Sequence, residues 1–477
     1  MDDYKKKFIN FLLGTGALKV EGDFNLKSKR ISPWFVNIGD FNDGISSKAL
    51  GRFYAGALLN SGEEFDVLYG IPEKGVGLVV ATSIGLTERN RNVPWFFTRK
   101  SPKEHGEATN LSHEERIKTQ VVGRAPREGQ AIAQLDDVFS AGDAKHEARK
   151  TLESLGSFSY PVLAIAIDRQ EVGIDGKSAI EEYEKRTGTK ISSVVSALEV
   201  YNFLRENAPV KTPTGEIKRE DVERMANYLR VYGTKSARGN VGRLEQRVIE
   251  GERSVIPSCD VETFEHFERL VQQTSDIERI GGYKIGFELG LQGLGKVVEI
   301  ARGHTDKPLI YDHQKAGTDI PDTGKNFARA MRRAGVNAVI LFPQSGPETE
   351  RAWIYHALNQ GLKVIVGGRM THPAYAVSEG GYITDEGALE MYRIAARAGV
   401  NNFVVPGNKP DVIRQVREVV EAEGVVPIFY APGFIAQGGS ISEAAKVAGE
   451  RFHGIVGRGI YAASDMREAA IEHVSQI

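Results

Sequence analysis

From about residue 251 onward, short apolar stretches recur at even spacing. Each ends in a polar or glycine-bearing loop and is followed by a helical segment: SVIPSCD, GGYKIGF, PLIYDHQK, NAVILFPQS, KVIVGGRMTH, NNFVVPGN, VPIFYAPGF and GIVGRGIY. Eight such units over residues 251–477 predict a (β/α)8 barrel, because an open doubly wound sheet rarely repeats so evenly. Before about residue 206 the rhythm is looser. EFDVLYGIPEKG, VPWFFTRK, AIAQLDDVFSAGDA and YPVLAIAIDRQ read as strands that end in turns, with KALGRFYAGALLNSG and AKHEARKTLESLG as helices among them. Strands alternating with helices predict an open, mainly parallel sheet with ligands at its carboxyl edge. Between 207 and 250, Pro209, Pro213 and Gly215 break the pattern; EIKREDVERMANYLRVYG predicts a charged helix, and the basic stretch TKSARGNVGRLEQRVIEGER follows it. The expected organisation is therefore α/β throughout: a first domain over 1–206, a linker with one helix over 207–250, and a barrel over 251–477.

Composition narrows the partners. At 477 residues the chain is long enough for two or three cores. Its 61 basic and 63 acidic side chains leave a formal net charge of −2, which argues against bulk nucleic-acid binding. Cys259 is the only cysteine, so no intrachain disulfide can form, which fits a reducing compartment. The opening MDDYKKKFINFLLGTG reads as neither signal peptide nor anchor, and no stretch approaches the roughly 20 apolar residues of a spanning helix. The expectation is a cytoplasmic protein with no membrane partner.

Chemistry in a barrel collects at the carboxyl ends of its strands. There the chain places Asp260 after the first strand, Lys284 in the second, Asp312 and Lys315 after the third, and then Asp319. Singly, Asp260 reads as a helix cap and Lys284 as a snorkelling lysine. Converging on one rim, they make an alternating charge network. Opposite them, APGFIAQGG and VGRGIY bring Pro432, Gly433, Gln437, Gly457 and Arg458 to the loops after strands seven and eight. Those loops cradle phosphate in this fold with backbone N–H groups, and an arginine adds a bidentate grip.

In the first domain, AIAQLDDVFSAGDAKHEA runs from a strand into Asp136 and Asp137, then a small-residue loop, then a helix. Paired carboxylates suit two ribose hydroxyls, and the loop Ser140, Ala141, Gly142, Asp143, Ala144 before a helix N-terminus suits a 5′-phosphate. An Asp-capped strand-to-helix turn is the plain alternative. FFTRKSPKEHGEATN gathers Arg99, Lys100, Lys103 and His105 in one loop. With Lys27 and Lys74 these supply positive charge for a diphosphate, although alone such a loop is more often only solvated.

The motifs carry two resemblances. Nearly all of residues 254–477 closely resemble orotidine 5′-monophosphate decarboxylase, through YKIG, the Asp/Lys/Asp cluster with Ile-Pro, MTHP, APGFIAQGG and VGRGIY. That resemblance implies that Asp260 binds ribose and that Lys284 and Asp312 position the ribose and the substrate carboxylate. Lys315 would donate the proton, Asp319 would enter from a partner subunit, and Thr371 would touch the pyrimidine. Gln437 and Arg458 would hold the phosphate. The family spaces its cluster Asp-x-Lys-x-x-Asp; here both intervals are one residue longer, and Ala316 and Gly317 leave room for a bulge. No cofactor is expected in this half.

Residues 8–200 resemble orotate phosphoribosyltransferase, with FNLKSKRISPWF, EFDVLYGIPEKG, RKSPKEHGE, LDDVFSAGDA and IDRQEVG in the family's order. The resemblance implies that Lys27, Lys74, Arg99, Lys100, Lys103 and His105 bind phosphoribosyl pyrophosphate with Mg2+. Trp34 and Phe35 would flank orotate, and Ser140 and Arg169 would bind it. Asp143 stands where the family's phosphate loop usually has Thr, and its carboxylate must turn outward to avoid repelling a phosphate. Together the halves would convert orotate and phosphoribosyl pyrophosphate to orotidine 5′-monophosphate and then to UMP, in a homodimer or higher homo-oligomer. Two alternatives stay open: a barrel that decarboxylates another sugar phosphate with Mg2+, and a regulatory nucleotide-binding protein.

Overall fold

The four β-rich runs of the first half lie side by side in one six-stranded sheet. Its strands are β1 (Val67–Gly70), β2 (Trp95–Thr98), β3 (Val121–Gly123), β4 (Ile132–Leu135), β5 (Val162–Asp168) and β6 (Lys190–Ser196). In the computed structural model, which describes residues 1–99, 119–139, 143–244, 246–313, 317–434 and 439–477, their order is β6-β5-β4-β1-β2-β3. Every pair is parallel except β2 with β3. β1 and β4 are buried at every residue, as central strands covered on both faces must be. Val67, Tyr69, Ile132, Leu163 and Ile165 pack with Leu152 and Tyr183 to form the core on one face. β6 was not among the expected strands. KISSVVS is polar over most of its length, and only Val194 and Val195 are buried, as suits an edge.

The eight repeats of the second half close into a parallel barrel. Its strands are β7 (Arg253–Cys259), β8 (Tyr283–Ile285), β9 (Leu309–Asp312), β10 (Ala338–Leu341), β11 (Lys363–Gly367), β12 (Asn402–Val404), β13 (Ile428–Ala431) and β14 (Phe452–Val456). Ile256, Ile310, Ile340, Ile365, Val404, Ile428 and Ile455 belong to one buried cluster, so the barrel is filled and not a pore.

The expected linker over 207–250 is corrected. The chain divides into two units, Met1–Val241 and Gly242–Ile477, with no separate segment between them. The charged face of EDVERMANYLR concealed an apolar one: the helix Arg219–Tyr232 buries Val222, Met225, Ala226 and Leu229. Arg224 donates to the Gly22 carbonyl at 3.0 Å and pairs with Asp23, and Thr214 donates to Glu21 at 2.8 Å. Residues 246–249 belong to the barrel. Gln246 takes the Val364 N–H at 3.1 Å and the Asn402 side-chain amide at 2.6 Å, and Val248 and Ile249 join the barrel core.

His453 sits in the same polar layer, its Nδ1 2.8 Å from the Ser254 hydroxyl and its ring against Tyr430. Burial lowers its pKa to about 3. Between about pH 6.5 and 3 the unfolded chain binds a proton here that the folded chain does not. Stability should therefore drop with falling pH across that window, by about 1.4 kcal/mol per pH unit from this group. Thermal unfolding between pH 7 and 4 checks this, and His453→Gln should flatten the slope.

Candidate active sites

In the first unit, a tight turn brings the charged groups together. The chain leaves β1 at Gly70 and enters the helix Gly75–Thr87 five residues later, with Lys74 at its cap. A Cβ on Gly70 would lie 2.3 Å from the Gly75 carbonyl oxygen, and one on Gly75 would lie 2.5 Å from that of Leu135. Only glycine lets the turn press against the end of β4. Lys74 thereby pairs with Asp137, the second residue after β4. Asp136 is paired separately: its Oδ2 lies 2.5 Å from the buried Lys145 ammonium, which also donates to the Val138 carbonyl at 2.8 Å. Burial raises the Asp136 pKa, and Lys145 opposes that shift. The two neighbouring acids thus have different counter-ions, one accessible and one buried.

Of the other residues expected around a diphosphate, Lys27 is exposed at the tip of a short hairpin between Phe24–Asn25 and Ile31–Ser32. Arg99 follows β2 and donates its backbone N–H to Gln120 at 2.8 Å. Its Nε is buried and lacks a hydrogen-bond partner among the described residues. Asp143 and Ala144 open the helix Asp143–Glu153. Lys100, Lys103, His105, Ser140, Ala141 and Gly142 lie outside the described residues.

Arg169 follows β5 at the carboxyl edge. Its Nε donates to Glu171 at 2.8 Å, and its Nη2 lies 2.7 Å from Glu171 and 3.0 Å from the Ser32 hydroxyl. Its guanidinium stacks 3.9 Å over the ring of Trp34. Trp34 is fully buried beneath it, while Phe35 is half-buried and stacked on Phe24. Trp34 therefore meets Arg169 face to face, and Phe35 retains the more open ring.

At the barrel mouth, strand register does the placing. Lys284 pairs with Ser258 on one side and Ile310 on the other. Two residues further along each neighbouring strand line are Asp260 and Asp312, and the period of two puts both on the face that Lys284 occupies. The lysine arm reaches up between them, 3.1 Å from Asp312 and 3.4 Å from Asp260. Ser258 donates to the second oxygen of Asp260 at 2.7 Å. Burial alone would lower the Lys284 pKa, but Asp312 and Asp260 outweigh it and push it up to about 12. Lys284 stays charged across the working pH range.

Lys315 lies outside the described residues. Asp319 is exposed; its Oδ1 accepts the N–H of Ile320 at 2.8 Å, and its carbonyl accepts the Thr349 hydroxyl at 2.9 Å. Thr371 follows β11, its carbonyl held by the Asn408 amide at 3.0 Å. Across the mouth, Pro432 accepts the Gly407 N–H at 2.8 Å, and Gly433 turns the chain with a φ of 106°, a conformation that suits glycine. Gly457 caps the short helix Arg458–Tyr461, leaving Arg458 exposed at its start. Gln437 lies outside the described residues.

Residues 253–472 match the family described as Orotidine 5′-phosphate decarboxylase / HUMPS family. The N-terminal region is 41% identical over 212 residues to the orotate phosphoribosyltransferase of Pseudomonas aeruginosa, covering 44% of this chain and 93% of that protein. The chain belongs to the orotate phosphoribosyltransferase family. With the decarboxylase-type domain behind it, the architecture is that of a fused UMP synthase. Among solved structures, an orotate phosphoribosyltransferase from Francisella tularensis aligns with 48% of this chain and 100% of its own (28% identity, TM-score 0.40). An orotidine 5′-monophosphate decarboxylase from Methanocaldococcus jannaschii aligns with 47% and 98% (23% identity, TM-score 0.42).

Sequence reading passed over several residues that the geometry of both halves brings forward. Lys145, Glu171 and Ser258 are absent from the sequence expectations. The parity of Ser258 with Asp260 was the one available signal. Lys145 and Glu171 depend on how the chain folds back over them, which no local pattern states.

Proposed function

We propose that the chain catalyses two consecutive reactions: transfer of a phosphoribosyl group to orotate in the first unit, and decarboxylation of the resulting orotidine 5′-monophosphate to UMP in the barrel. The observation that carries the reading is the buried Lys284 held between Asp260 and Asp312 at the barrel mouth. It would be an odd structural feature, since a buried ion pair gains little stability over apolar packing. It suits a site that must hold ribose hydroxyls and face a departing carboxylate.

In the barrel, loss of CO2 leaves an electron pair at C6 of the pyrimidine. Lys315 would stabilise that charge as it develops and then deliver the proton. Lys284, fixed and charged, would keep the carboxylates aimed. Gln437, Arg458 and the backbone near Pro432, Gly433 and Gly457 would hold the phosphate, so that binding energy far from the reacting bond serves the reaction. In the first unit Asp136 and Asp137 would take the ribose hydroxyls. Lys27, Lys74, Arg99, Lys100, Lys103 and His105 would meet the diphosphate, with the 140–144 loop around the 5′-phosphate. Arg169 would face the orotate carboxylate with Ser140, Phe35 would border the ring, and Trp34 would act by supporting Arg169.

Among the described residues no three metal-ligating side chains converge, and Asp136 and Asp137 already have lysine partners. Mg2+ would accordingly enter as the complex of phosphoribosyl pyrophosphate. Orotate consumption should stop in EDTA and return with Mg2+, because the leaving diphosphate must be neutralised. Decarboxylation of supplied orotidine monophosphate should continue in EDTA. Strong inhibition of that step would favour a metal-dependent sugar-phosphate decarboxylase instead. The decisive assay supplies orotate, phosphoribosyl pyrophosphate and Mg2+ and follows orotate loss and UMP appearance separately. Among the described residues no helix is long and apolar enough to cross a membrane; with the sole cysteine, Cys259, reduced and buried, a cytoplasmic homodimer or higher homo-oligomer is the setting we propose.

A further inference from the structure

The loop that carries Thr371 leaves the barrel after β11 and returns at Asp385, the first residue of the helix Asp385–Arg397. Four charged side chains tie it down in one alternating series. Asp385 accepts from Arg369 Nη1 at 2.6 Å, Arg369 Nη2 lies 3.5 Å from Glu379, and Glu379 accepts from Lys409 Nζ at 2.6 Å. Lys409 belongs to a different loop, the one after β12. Its ammonium also donates to the His372 carbonyl at 3.3 Å, while its neighbour Asn408 donates to the Thr371 carbonyl at 3.0 Å. Arg369 within the series is anchored as well: it is buried, and its backbone N–H donates to the Tyr392 hydroxyl at 3.1 Å, which donates to the Val404 carbonyl at 2.7 Å.

Signs alternate along the series, so each charge lies beside its opposite and the group as a whole is neutral. Arg369 ties it to Tyr392, and Lys409 at one end grips the loop. The bonds that matter go to the carbonyls of Thr371 and His372. Fixing those two peptide units fixes the direction in which the Thr371 side chain leaves the backbone. We propose that Lys409 and Asn408, braced by Glu379 and Arg369, are positioning residues that set Thr371 against the pyrimidine of the bound nucleotide. This rests on the reading of the barrel as an orotidine monophosphate decarboxylase.

The test uses the full chain and compares Lys409→Met, which keeps the arm and removes the charge, with Lys409→Arg. With Lys409→Met, KM for orotidine monophosphate should rise about tenfold, as expected when a group beside the substrate shifts by a fraction of an ångström. Affinity for ribose 5-phosphate, which lacks the base, should be unchanged, and Lys409→Arg should recover most of the loss. Orotate consumption by the first unit reports that the chain is intact. If Lys409→Met does not fold, Glu379→Gln removes one charge at constant shape and should raise KM in the same direction. Unchanged KM, or equal weakening of nucleotide and ribose 5-phosphate, overturns the proposal. Wild-type chain that fails to decarboxylate orotidine monophosphate at all overturns the underlying reading instead.

Discussion

A chain carrying Lys315→Ala, supplied with orotate, phosphoribosyl pyrophosphate and Mg2+, should consume orotate at close to the wild-type rate and accumulate orotidine monophosphate without forming UMP. In the sequence Lys315 stands three residues beyond Asp312, the end of β9. Its ammonium would supply both charge stabilisation and the proton. Positioned proton transfer alone is worth roughly 10²–10⁴-fold, and a fixed charge at the developing carbanion adds more. Decarboxylation should therefore fall by at least about 10³-fold on those grounds. Lys103→Ala should do the reverse, blocking orotate consumption while supplied orotidine monophosphate is still converted to UMP. The two motifs lie in separate compact units, which is why the defects should separate. Either substitution abolishing both activities in a folded protein would falsify the two-site reading.

Much of the architecture was legible in the sequence because periodicity reports burial directly. Each barrel strand is an apolar run ended by a polar loop, and the strand parity that aligns Asp260, Lys284 and Asp312 can be counted once the strands are known. Tertiary placement is harder to read. In the helix Arg219–Tyr232, six charged residues are interleaved with the apolar positions that decide its packing, so it passed for a linker helix. β6 was hidden because an edge strand needs few buried residues. The partner of Asp136 was invisible for a different reason: Lys145 reaches back across a turn, and nothing in AGDAKHEA says that its arm folds inward. Trp34, which the resemblance puts beside orotate, carries Arg169 on its face, a relation spanning two distant segments.

The same distinction between local and distant contacts bears on Asp319, whose expected role lies in a neighbouring chain. Within its own chain the obvious task would be to cap the following helix, worth about 1 kcal/mol. That is not what its carboxylate does: the helix Thr323–Ala334 begins after Asp322 without a side-chain cap bond, and among the described residues the Asp319 carboxylate accepts the N–H of adjacent Ile320. Its backbone is nevertheless held, by Thr349 on the Asp319 carbonyl and by Trp353 on the Ile320 carbonyl at 3.1 Å. The result is a fixed loop that presents an exposed carboxylate beside an Ile320 side chain that is 58% exposed. An apolar residue and an acid displayed together on a held loop suit a protein contact. If Asp319 completes a partner's site, it would stand beside that subunit's Lys315 and keep it charged. Coexpression of an Asp319→Ala chain with a Lys284→Ala chain, each inactive alone, separates the cases. Acting in trans, Asp319 leaves each mixed dimer with one doubly defective site and one intact site, so up to about half of a dimer's activity should return. Acting in cis, every site keeps one defect, and no decarboxylation should reappear at any mixing ratio.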